Sequence, residues 1–154
     1  MIGITDEQLQ PYVPREFVPV GLEYRFTNQQ RYVQVEVFSP GTTVSIGDGA
    51  KYIYIPPQLD NMKLVFIQGQ HVTAGTTSNT TEVQVYNLTK AVDMLSTVLS
   101  IDYNELTSVT AGTPVVINDA NSLISTNDVL RVDVDAVTTV APKGLILTLG
   151  FRKP

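Results

Sequence analysis

The chain has 154 residues, of which 43% are apolar and 16% charged, and a formal net charge of −5. That is the length of one domain, with too little charge and too much apolar content for disorder. The acidic balance argues against a nucleic-acid partner, which needs a phosphate-neutralising surface. With no cysteine and a single histidine, His71, the chain has no disulfides, thiolate nucleophiles, zinc–thiolate sites or multi-histidine metal centres.

The first residues carry no basic, apolar leader, so no signal peptide is expected. No run approaches the roughly 18 apolar residues of a membrane-spanning helix, so no membrane partner is expected either. Absence of cysteine fits both a reducing cytoplasm and a robust extracellular particle.

Twenty-one Val and eighteen Thr, stiff at χ1, favour strands over helices. Residues 1–30 read as an extended N-terminal arm. Pro11, Pro14 and Pro19 are interleaved with Tyr12, Val13, Phe17, Val18 and Val20, and prolines this dense forbid a central strand. The apolar residues between them need burial, either on another surface or back on their own domain. Residues 31–154 read as the folded domain. Residues 31–38 alternate, with Val33, Val35 and Val37 on one face, the period of a half-buried strand. Ser39-Pro40-Gly41-Thr42 reads as a turn, residues 43–46 as a short strand and Gly47-Asp48-Gly49 as a second turn. In residues 51–55, Ile53 and Ile55 oppose Tyr52 and Tyr54.

Residues 62–71 are apolar on both faces at their centre, which suggests a strand covered on both sides. Residues 81–88 form a further strand, with Val83 and Val85 inward and Gln84 and Tyr86 outward. Residues 91–95 suit a helical turn or a loop, 97–101 and 114–117 short strands, and 107–113 and 118–127 turns. Residues 129–137 place Leu130, Val132, Val134 and Ala136 inward, with Arg131, Asp133 and Asp135 outward. In 145–151, Leu145, Leu147, Leu149 and Phe151 share a face. Nine or ten strands and no helix-length 3.6 period make an all-β fold: an antiparallel two-sheet sandwich, jelly-roll-like, ahead of an immunoglobulin-like one.

Catalytic chemistry finds little footing. A serine triad would rest on His71, and no Gly-x-Ser-x-Gly elbow is present. His71 is expected at the surface or in an interface. Asp133 and Asp135 are spaced as a carboxylate pair could be, but with Arg131 on the same face they read as a solvated or subunit-contacting charge ladder. Asp102-Tyr103-Asn104-Glu105 and Asn118-Asp119-Ala120-Asn121 offer oxygen ligands for calcium without EF-hand spacing, and Asx residues are ordinary in turns. Asn79-Thr80-Thr81 and Asn87-Leu88-Thr89 match glycosylation sequons and are read as chance. Tyr52, Tyr54 and Tyr86 form an outward aromatic face, suited to a subunit interface or, alternatively, to glycans. No enzyme activity, metal or cofactor is expected.

Three segments carry a resemblance. Residues 47–64 (GDGAKYIYIPPQLDNMKL), 81–102 (TEVQVYNLTKAVDMLSTVLSID) and 125–151 (STNDVLRVDVDAVTTVAPKGLILTLGF) resemble the small β-rich virion proteins of tailed bacteriophages, which include capsid decoration (cement) and head-fibre proteins. The resemblance implies a jelly-roll subunit, a homotrimer on the outer capsid surface of the virion, assembled in the host cytoplasm, with the major capsid protein as partner. The alternative is a tail or fibre component that binds host surface glycans through the face of Tyr52, Tyr54 and Tyr86. The arm, with Tyr12, Val13, Phe17, Val18 and Val20, would be the capsid-contacting element. Thirty extended residues reach up to roughly 100 Å.

Overall fold

The computed structural model describes residues 30–154. The arm residues Tyr12, Val13, Phe17, Val18 and Val20 lie outside the described residues. The described chain forms β1 (Arg31–Thr43), β2 (Gly47–Tyr54), β3 (Met62–Thr73), β4 (Thr80–Asn87), β5 (Val92–Asp93), β6 (Leu95–Thr97), β7 (Leu99–Asp102), β8 (Val116–Ile117), β9 (Leu123–Ile124), β10 (Val129–Ala136) and β11 (Lys143–Arg152). Three short 3-10 turns punctuate them at Pro57–Leu59, Ser108–Thr110 and Asp119–Asn121. Among the described residues no helix is long and apolar enough to cross a membrane.

One sheet has the order β1-β11-β3-β9 and the other β2-β10-β4-β5, with β7 pairing the other half of β4's edge. All the pairings in both sheets are antiparallel. β1 to β4 alternate between the two sheets, β10 then returns between β2 and β4, and β11 returns between β1 and β3. That is the two-sheet, doubly wound arrangement of a jelly roll, and the expected all-β sandwich is what the chain forms. β6 and β8 make a small separate ladder.

The core is the union of the two inward faces. Val35 and Val37, Leu64 and Ile67, and Leu145, Leu147, Leu149 and Phe151 from the first sheet meet Val83, Val85, Leu99, Ile101, Leu130, Val132 and Val134 from the second. Each fully buried aliphatic side chain contributes about 1.5–3 kcal/mol, and Leu145, Leu147, Leu149, Val83, Val85, Leu99, Ile101, Leu130 and Val132 are wholly inaccessible. The sheets approach closely at Gly69, where a Cβ would lie 2.9 Å from Leu99 Cδ2.

Several local expectations are corrected. The turn expected at residues 39–42 does not interrupt the first strand. β1 runs to Thr43 through two register shifts, and Pro40 is tolerated because it lies on an edge strand. Of residues 43–46, Thr43 ends β1 and 44–46 are a corner rather than a strand, with Val44 buried and its N–H donated to Pro142 O at 2.9 Å. Gly47-Asp48-Gly49 opens β2, bulged against β10. Gly49 takes a left-handed φ of 74°, which glycine adopts without steric cost. Residues 91–95 contribute β5 and the start of β6.

β3 is not covered on both sides. Its register with β11 slips between Phe66 and Leu64, a bulge that switches which alternate residues face inward. Met62 and Leu64 face in before it, and Ile67, Gly69 and His71 after it. On the outer face Phe66 packs edge-to-face on Tyr32, with ring centroids 5.8 Å apart. They meet over Gly150, where a Cβ would come within 2.9 Å of Phe66 and 3.1 Å of Tyr32.

The two flanks of the sandwich differ. On one, the upper part of β3 is covered by residues 106–108: His71 N–H donates to Leu106 O at 2.8 Å and Gly69 N–H to Ser108 Oγ at 3.0 Å. On the other, β1 and β2 are the outermost strands of their sheets, and among the described residues no strand pairs with their outer edges.

Candidate functional site

The expected aromatic face lies on the outside of the β2-β10-β4 sheet. The register places Tyr52 opposite Arg131, and Arg131 opposite Tyr86, so the three form one cross-strand row. The Arg131 guanidinium sits 4.7 Å from the Tyr86 ring centroid, a cation–π contact that covers that ring. Arg131 Nη2 donates to Asp133 Oδ2 at 2.7 Å, Nε lies 2.7 Å from Oδ1, and Asp48 Oδ2 is 3.4 Å away. Asp133, with its hydrogen bond first among the causes, raises the Arg131 pKa. Tyr52 leans over Gly49, where a Cβ would stand 2.5 Å from the phenolic oxygen. Tyr54 projects furthest, 73% exposed against 46% for Tyr52. The three tyrosines therefore do not form one platform: Tyr86 is half-buried under Arg131, and only Tyr52 and Tyr54 stand free on the edge strand.

The carboxylate ladder is also corrected. Asp133 is buried, 4% exposed, held by Arg131 and by the Gly49 N–H at 2.8 Å. Asp135 is exposed and displaced by the register shift between Val134 and Ala136. Burial, then the neighbouring charges of Asp133, Asp48, Glu82 and Asp93, raise its pKa. One carboxylate is locked in an ion pair and the other faces solvent, so they do not flank a common cleft.

His71 is not a surface residue. It is 6% exposed, turned inward by the β3 bulge, and its Nδ1–H donates to Gly144 O at 3.0 Å. Its buried Nε2 has no hydrogen-bond partner. Burial lowers the His71 pKa, and the Gly144 carbonyl opposes this more weakly. Among the described residues no nucleophile is hydrogen-bonded to it.

The turns considered for calcium use their oxygens internally. Asp102 Oδ2 accepts Gly112 N–H at 2.9 Å, Glu105 accepts the Thr110 hydroxyl, and Asp119 pairs with Lys63 at 2.9 Å. Among the described residues no three His, Asp or Glu side chains gather as metal ligands would. A hollow of about 170 Å³ beside β4 and β7 is lined by Glu82, Ser100, Asp102 and Thr113, among others. Its polar groups are engaged too: Glu82 accepts the Thr80 hydroxyl at 3.1 Å and Ser100 donates to Thr113 O at 3.0 Å. Of the sequon asparagines, Asn79 is exposed and Asn87 is fully buried.

Two features were missed from the sequence. The first is a buried polar knot. Asp128 Oδ2 accepts from Asn87 Nδ2 at 2.9 Å and Ser125 N–H at 3.0 Å, and lies 3.0 Å from Lys90 Nζ. Burial alone would raise the Asp128 pKa, but the bonds from Asn87, Ser125 and Lys90 outweigh it and hold it below the ordinary carboxylate value. The signal was Asn87 itself, a polar residue at the inward parity of Val83 and Val85.

The second is an apolar end. Ile46, Val72, Tyr103, Leu106 and Val140 are all exposed. They sit on segments tied to one another by backbone bonds: Val44 to Pro142, Thr76 to Val140, Asn104 to Gly75 and His71 to Leu106. Scattered in sequence, they gather where the β1–β2 corner meets the β3–β4, β7–β8 and β10–β11 loops. Exposed apolar side chains carried to one end of the fold can serve an attachment surface.

No protein-family model, no curated protein and no solved structure matches the chain.

Proposed function

We propose that the chain is a non-catalytic structural protein of a tailed-phage virion, a capsid decoration (cement) protein that oligomerises on the outer surface of the head and stabilises it. The observation that carries this reading is the apolar end of Ile46, Val72, Tyr103, Leu106 and Val140, carried by loops of a sandwich with a buried aliphatic core. The resemblance of residues 47–64, 81–102 and 125–151 to such virion proteins supports it, as does the engagement of His71, Asp133 and Asp128 in internal contacts rather than in a cleft. Attachment would bury the apolar end and the proline-rich arm against the major capsid protein, and repetition over the shell would multiply a weak contact into stable binding.

The test is co-sedimentation of the full chain with phage heads stripped of it. The double variant Leu106→Asp/Val140→Asp changes exposed positions, so the sandwich folds, and it is expected to lose binding at least tenfold. Unchanged binding by that variant would remove the apolar end from the account. A second reading, a tail or fibre component for host glycans, draws on the exposure of Tyr54 and Tyr52. A glycan array on which Tyr52→Ala and Tyr54→Ala abolish a signal would favour it.

A further inference from the structure

We propose that His71 is a pH-sensitive latch: neutral, it ties down the loops that carry the apolar end, and protonated, it leaves the core and frees them. The latch stands on the fold alone; its consequence for attachment, given below, rests on the attachment reading.

The ring's bonds fix its charge state. A backbone carbonyl only accepts, so the contact with Gly144 O at 3.0 Å places the proton on Nδ1. Nε2 then holds a lone pair, buried and without a partner. A second proton would put an N–H and a full positive charge at that atom, where among the described residues no acceptor reaches it. A core tolerates a charge only when it is paired. The Thr81 hydroxyl, buried and likewise unpartnered, makes no bond to it.

No neighbouring charge compensates. On the elements packed around β3, the charged groups are Lys143 and Arg152 on β11, Asp102 on β7, and Arg31 and Glu36 on β1. Lys63 is on β3 itself and Glu105 precedes the Ser108–Thr110 turn, while residues 74–79 and 137–142 carry no charge. Asp102 accepts Gly112 N–H, Glu105 accepts the Thr110 hydroxyl, Lys63 pairs with Asp119 and Lys143 is exposed. Among the described residues none of these charges bonds to the ring. Burial lowers the His71 pKa, the Gly144 carbonyl opposes it, and no charged group enters.

What the residue holds is the apolar end. Its backbone N–H donates to Leu106 O at 2.8 Å. Its ring holds Gly144, which sits so tightly against Val72 that a Cβ there would lie 2.8 Å from Val72 Cγ2. Next to these, Asn104 N–H donates to Gly75 O at 2.7 Å, and Thr76 and Val140 exchange bonds at 3.0 and 3.1 Å. These bonds join the segments that bear Val72, Tyr103, Leu106 and Val140. The rest of β3 is held separately. Its register with β11 runs on from Gln70–Ile146 to Lys63–Arg152, and Leu64 and Ile67 are anchored in the core. Expulsion of the ring therefore opens one end of the sandwich and leaves its middle packed.

The test is hydrogen exchange of the full chain, read by mass spectrometry at about pH 7.5 and about pH 5, either side of the histidine range, with intrinsic rates divided out. Below the ordinary value of 6.5, protection of residues 71–76, 104–107 and 140–144 should fall by up to about tenfold per pH unit. Residues 82–87 and 129–134 should keep theirs. His71→Gln, which takes up no proton, should lose this pH dependence. Because His71 is the only histidine, the wild-type imidazole NMR signals follow its titration directly, and their midpoint should lie below 6.5. Equal loss of protection in all segments, loss in none, the same loss in His71→Gln, or a midpoint at or above 6.5 would overturn the latch. The segment pattern and the midpoint need only the wild type, so they decide the matter even if His71→Gln does not fold. On stripped heads, wild-type binding should weaken at the lower pH and His71→Gln binding should not. Equal wild-type binding at both pH values would overturn the consequence for attachment. No binding at either would sink the attachment reading alone, because exchange judges the latch without heads.

Discussion

Replacing Asp128 by alanine removes the acceptor on which three donors converge. Asn87 Nδ2 and Ser125 N–H both reach Asp128 Oδ2, and Asn87 is wholly buried. A buried donor left without a partner costs about 1–3 kcal/mol. Lys90 adds less, because its side chain is 34% exposed and it keeps the Leu123 carbonyl at 2.7 Å; a pair so placed is worth at most about 1 kcal/mol. The expected loss for Asp128→Ala is therefore about 3–5 kcal/mol, a large part of the ~5–15 kcal/mol that stabilises a domain. Urea unfolding should show a lower midpoint at unchanged slope, and Tm should fall by about 10 °C. Asp128→Asn is the discriminating variant. All three donors meet at one oxygen, and an amide oxygen there still accepts from both neutral ones, so it should lose only about 1 kcal/mol. The pH dependence follows from the lowered carboxylate pKa. The unfolded chain binds the proton first as pH falls, so this group's contribution is full above the ordinary value of 3.8 and is lost as pH falls through the lower folded value. The gap between wild type and Asp128→Ala should narrow below about pH 4. A loss under about 1 kcal/mol for Asp128→Ala, or equal losses for Ala and Asn, would refute the reasoning.

Two further outcomes are expected. His71 has a pKa pushed below its ordinary 6.5 by burial, so below that pH the unfolded chain takes up the proton first. Stability should then decline by up to about 1.4 kcal/mol per pH unit, and His71→Gln should flatten that slope in denaturation curves measured from pH 7 to pH 5. Gly49→Ala forces a side chain into a left-handed φ of 74° and against the Tyr52 hydroxyl. It should cost about 1–3 kcal/mol, read by thermal unfolding, and a neutral result would mean that β2 re-forms its bulge elsewhere.

The inward rows of β1, β10 and β11 were legible because their alternation runs unbroken over the residues that matter. Val35 and Val37, Leu130, Val132 and Val134, and Leu145 to Phe151 all lie where period two puts them. β3 was not legible for one physical reason. The bulge between Leu64 and Phe66 shifts the parity, which makes its centre look doubly apolar and turns His71 from the predicted outside to the inside. A bulge is a property of two strands, and its partner, Gly150, lies 84 positions downstream of Phe66. The covering of Tyr86 by Arg131 was hidden similarly, since it depends on a cross-strand register between residues 45 positions apart. The apolar end escaped notice because Ile46, Val72, Tyr103, Leu106 and Val140 are each unremarked in their own loop and become a surface only once the loops meet.

The central claim is attachment to a phage head, and a cryo-electron-microscopy map of virions carrying this chain tests it most directly. The account predicts sandwich-shaped density repeated over the outer face of the head, with the Ile46, Val72 and Val140 end against the shell. Density confined to the tail or its tip, or virions without the chain, would contradict it.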